Sequence, residues 1–87
     1  MKKTTTDVIK DYNQLAMSMP LERWTPKFAH ARMEQQSDDA VHLQFNIWVP
    51  SIRNFVPQDE IINVQQAPNE LKRLRARAQG EPTPAVA

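Results

Sequence analysis

An α+β fold is what this sequence predicts, and three observations predict it. Residues 41–49 alternate, with Val41, Leu43, Phe45, Ile47 and Val49 on one side and His42, Gln44, Asn46 and Trp48 on the other. That period of two belongs to a half-buried β-strand. Earlier in the chain, Val8, Tyr12, Leu15 and Met19 share one face at helical spacing, with Ile9 and Ala16 at its edge. Near the end, Ala67, Leu71, Leu74 and Ala78 form a narrower helical seam. At 87 residues the chain is expected to hold one domain over residues 1–79. A disordered tail over residues 80–87 is expected after it, marked by Pro82 and Pro84.

The first helix opens at Thr4, which has capping-box spacing to Asp7. Pro20 stops it near Ser18. Pro20 and Pro26 bracket a stiff connector, within which Trp24 is expected to plug one end of the core. Residues 27–50 then read as a β-hairpin around Ser37, Asp38 and Asp39. A three-residue loop sets Met33 opposite Leu43, Ala31 opposite Phe45 and Ala29 opposite Ile47, so small residues face large ones. The other face then pairs Phe28 with Trp48, His30 with Asn46, Arg32 with Gln44 and Glu34 with His42. A two-residue loop would oppose apolar and polar side chains. With no glycine in the loop, Asp39 is expected to supply the left-handed residue that such loops want.

After Pro50 the periodicity weakens. Residues 57–60, Pro-Gln-Asp-Glu, read as a turn or a first helical turn. The β-branched content of residues 60–66 favours a short third strand. Pro68 opens the second helix, and Gly80 ends it after about Gln79.

Composition excludes several functions. The single glycine, Gly80, leaves no phosphate-cradling loop of either common kind, and no cofactor is expected. The absence of cysteine removes disulfides, thiolate zinc sites and a cysteine nucleophile. No apolar run approaches the ~20 residues of a membrane span, and no signal sequence comes after Lys2 and Lys3, so a cytoplasmic protein is expected. His30, His42 and Glu34 lie too loosely along one face for a metal site. Ser18, Ser37 and Ser51 lie outside any nucleophile motif, and no catalytic residue is assigned.

What remains is binding. The residues expected to meet a partner are Phe28, His30, Arg32 and Trp48, as an aromatic platform beside a cation. The leading expectation is a small non-enzymatic interaction module, of adaptor or inhibitor type, that docks on a larger protein. A homodimer is expected through a sheet edge or the Phe28–Trp48 face, because a small sheet leaves unpaired edges. The alternative is nucleic-acid binding through Lys72, Arg73, Arg75 and Arg77. The order helix, strands, helix is also that of double-stranded-RNA-binding domains, but their glycine-bearing turns and lysine-rich approach to the last helix are missing.

Overall fold

Helix α1 spans Thr5–Ser18, strands β1, β2 and β3 span Ala29–Gln35, Ala40–Val49 and Asn54–Asn63, and helix α2 spans Ala67–Ala78. The computed structural model describes residues 4–80. The strands form one antiparallel sheet in the order β1-β2-β3. Helix α1 packs on β1, and α2 packs on α1. The fold is therefore α+β, with a third strand fully formed. Apart from Gly80, the expected tail lies outside the described residues.

Local chemistry sets the helix ends. The Thr4 hydroxyl accepts the Asp7 N–H at 3.1 Å, closing one of the orphan donors of the first turn. Met19 is extended (φ −70°, ψ 130°), as a residue before proline must be. At the far end of α2, Gly80 takes φ +80° and donates its N–H to the Arg77 carbonyl at 3.0 Å. The core lies between the helices and one sheet face. It gathers Val8, Tyr12 and Ala16 from α1 and Met19 just after it, Ala31, Met33, Val41, Leu43 and Ile62 from the sheet, and Ala67, Leu71 and Leu74 from α2. Ile47, Val49 and Val56 are half-buried farther along the β2–β3 ribbon, outside that cluster.

The β1–β2 register is the expected one at its loop end: Arg32 faces Gln44, Met33 faces Leu43 and Glu34 faces His42. The loop closes differently from expectation. Among the described residues, the non-glycine positive φ values belong to His30 and Arg53, not Asp39. The Ser37 hydroxyl instead accepts the N–H groups of Asp39 and Ala40, at 3.3 and 3.2 Å. A serine side chain thus does what a left-handed residue would otherwise do.

Beyond Arg32 the expected pairing fails. Ala29 faces Asn46, so His30 and Ala31 together oppose Phe45. This is a β-bulge, and His30 sits in it at φ 54°. A one-residue slip turns every later side chain to the opposite face. Phe28 therefore moves to the helix side, where its ring lies 5.0 Å from that of Phe45. The expected Phe28–Trp48, His30–Asn46 and Ala29–Ile47 pairs do not form.

The expected turn at residues 57–60 is the middle of β3, and residues 64–66 form a short 3-10 turn rather than the end of a strand. Pro57 is compatible with a strand because of where its nitrogen points. Trp48 donates its N–H to the Pro26 carbonyl at 2.6 Å, away from β3. Its partner Phe55 must then turn its own main-chain groups outward, and so must Pro57, Asp59 and Ile61 by alternation. Pro57 thus sits on an outer edge, where no ladder bond is lost. The Phe55 N–H is taken by the Asn54 side chain at 2.9 Å, and the Asn63 N–H by Gln66 at 3.2 Å. The β3 edge is a poor template for a second strand.

Candidate protein-docking groove

The groove begins with the bracketing prolines. Pro20 leads into a 3-10 turn over Leu21–Arg23, and Trp24 leaves it extended. Thr25 and Phe28 then exchange main-chain hydrogen bonds at 3.2 and 3.1 Å, with Pro26 between them. Proline presets the backbone of that tight turn. Its carbonyl accepts the Trp48 N–H, which fastens the connector beside β2. The bulge at His30 then carries the chain back into β1.

These steps build a wall of rings on the sheet face opposite the helices. Trp48 meets Phe55 edge-on at 5.2 Å. Phe55 meets His30 at 5.8 Å, and His30 meets Trp24 at 6.0 Å. The groove these rings enclose with Leu21, Thr25, Pro26 and Ala29 has a volume of about 430 Å³. Trp48 is 40% exposed, Phe55 38% and Leu21 76%, so the rim is open to solvent. A second depression of about 360 Å³ adjoins it, sharing Leu21, Trp24 and His30 and adding Met17 and Arg32.

In sequence, the charged neighbours of the lining residues are mainly basic. Arg23 lies between Leu21 and Trp24, Lys27 is next to Pro26, Arg32 lies two residues after His30, and Arg53 lies two before Phe55. Glu22 is the acid in that set of neighbours. Among the lining residues, His30 is the one titratable side chain. The lining can therefore hold apolar and aromatic groups.

His30 and Trp48, two of the residues expected from sequence to meet a partner, line this groove. Arg32 lies in the adjoining depression. Phe28 does not join them. It packs on the helix side against Trp24 and Phe45, with the Arg77 guanidinium 5.0 Å from its ring centre. The partner site expected from sequence did not include Leu21, Trp24, Pro26 and Phe55, and Trp24 was expected at one end of the core. Trp24 in fact serves both faces, touching Phe28 on one side and His30 on the other. The signal for the connector was present, since two prolines hold Leu21 and Trp24 in one stiff segment.

The cations of α2 are not one free row. Lys72, Arg73 and Arg75 are exposed, but Arg73 pairs with Glu70 at 3.2 Å. Arg77, expected to be available to nucleic acid, is half-buried over Phe28. Glu70, at the first turn of α2, is held above the usual carboxylate range by burial, partly offset by Arg73 and reinforced by Glu60. Burial likewise pushes the Tyr12 phenol well above its ordinary value. His42 contacts Asp59 at 2.7 Å. Among the described residues, no three metal-binding side chains converge, and no helix is long and apolar enough to cross a membrane.

Comparison with family models, with curated proteins and with solved structures finds no match to this chain.

Proposed function

We propose that this chain is a non-enzymatic protein-interaction module of the cytoplasm, which docks on a larger protein by gripping an apolar segment in the aromatic groove. The observation that carries the reading is the groove itself: Trp24, Trp48 and Phe55 around a volume of about 430 Å³, open at the rim. Grooves walled by aromatic rings suit extended proline-containing segments, whose backbone is already ordered before binding. The basic residues beside the lining favour a segment with an acidic flank. Self-association, with β3 a poor edge, uses the same ring-lined face in competition with the partner.

The alternative, nucleic-acid binding through α2, draws on Lys72, Arg73 and Arg75. It is the weaker reading because Arg77 is engaged with Phe28 and Arg73 with Glu70. Panning a random peptide library against the chain tests the main reading, with Trp48→Ala protein as the counter-selection. The expected result is a peptide class with proline or an aromatic residue next to an acid. A failure to enrich any class, together with gel shifts whose log–log salt slope is about −3, would replace it with the alternative.

A further inference from the structure

The described chain ends against Arg23, on the connector that carries two residues of the groove lining. Helix α2 stops at Ala78, whose carbonyl accepts the Arg23 Nε–H at 3.2 Å. Gly80 lies against the same guanidinium, so closely that a Cβ on it would stand 3.2 Å from Arg23 Nη1. Arg23 lies between Leu21 and Trp24, and both of these line the groove. The segment after Gly80 therefore starts at the connector that forms one groove wall.

That segment is Glu81, Pro82, Thr83, Pro84, Ala85, Val86 and Ala87. It opens with an acid, then has two prolines one residue apart, then small apolar residues. It has the chemistry that the ring-lined groove and its basic neighbours select. Prolines two apart favour a polyproline II backbone, and at ~3.1 Å per residue seven such residues reach ~20 Å.

We infer that residues 81–87 occupy the aromatic groove of their own chain and compete there with the external partner. The inference rests on the proposed function of the groove. Tethering supplies an effective concentration of about 1 mM, so even a weak intrinsic affinity fills the site part of the time. A partner must then displace the tail, and removing the tail raises partner affinity.

The chain has no cysteine, so Ala85→Cys carries a nitroxide label at one place. In dilute full-length protein the label should broaden the indole N–H signals of Trp24 and Trp48 and the amide of Phe55. A synthetic peptide of residues 80–87 should bind protein ending at Gly80 at least about twofold more tightly than full-length protein, as competition from a half-occupied tail requires. Unbroadened indole signals would overturn the inference. So would broadening that appears only when labelled and isotope-enriched copies are mixed, because the tail would then be exchanged between molecules. If panned peptides bind while the tail leaves Trp48 untouched, the tail inference fails alone. If neither binds, the groove reading fails with it.

Discussion

The Asn13 carboxamide takes both main-chain groups of Met33, its Oδ1 accepting the N–H at 2.7 Å and its Nδ2 donating to the C=O at 2.9 Å. A side chain of α1 thus stands where a fourth strand would otherwise pair with β1. It fixes the helix against the sheet and closes that edge to other chains.

Asn13→Ala should lower stability by about 2–3 kcal/mol, because two hydrogen bonds go and a buried strand amide and carbonyl are left without partners. Gln14→Ala, one residue on and exposed, should change stability by less than about 0.5 kcal/mol. Denaturant melts of the two variants provide the comparison, and hydrogen exchange at the Met33 amide should quicken in the first alone.

The left-handed backbone at His30 and Arg53 gives a second test. His30→Gly should be more stable than His30→Ala by about 1 kcal/mol, since both lose the ring contacts but only glycine loses the strain. Arg53→Gly should stabilise the protein outright, by about 0.5–1 kcal/mol, because this exposed turn residue has φ 51°. In an unbulged strand the order at His30 would reverse, since glycine weakens regular strands.

Arg77 should behave as a structural residue. Arg77→Gln is expected to cost about 0.5–1 kcal/mol through its lost contact with the Phe28 ring. Arg73→Gln removes an exposed ion pair and should fall near zero, within about 0.5 kcal/mol. Thermal melts at two salt concentrations separate them, since the ring contact is the less screened of the two.

Glu70 sets a pH dependence. Its folded-state pKa is raised by burial, so the folded chain binds that proton more tightly than the unfolded chain does. Its contribution is present in full below the usual carboxylate pKa and is lost as pH rises through the elevated folded value. Glu70→Gln should therefore gain on the parent protein at neutral pH, and the gain should vanish in acid. Melts across pH 3 to 7 would contradict this if the difference between the two grew towards low pH.

Much of the scaffold was legible because its causes are local. The Thr4 cap, the stop at Pro20, the alternation from Val41 to Val49 and the Gly80 terminator all act within a few residues. The bulge was not legible, because His30 has no neighbouring glycine to mark it. The Pro26 carbonyl, in the connector before the bulge, accepts the Trp48 N–H, a contact between residues far apart in sequence. That one slip moved Phe28 off the expected platform and into contact with Arg77. β3 was obscured by Pro57, whose compatibility with a strand depends on lying at an edge with its nitrogen outward. Phe55 was not placed beside Trp48, because the strand that carries it was not read there. Within the candidate site, Trp48 and His30 were readable from the period of two and the hairpin. Leu21, Trp24 and Pro26 joined them only through the fold.

The most direct measurement is the affinity of a panned peptide for the parent protein and for Trp48→Ala, by calorimetry, with the melt of each protein alongside. Trp48 is part-exposed on the groove and outside the core cluster, so the variant should fold. The groove reading predicts a loss of at least about 2 kcal/mol in binding, roughly thirtyfold, as for a central aromatic anchor. Equal affinity for the two folded proteins would contradict it.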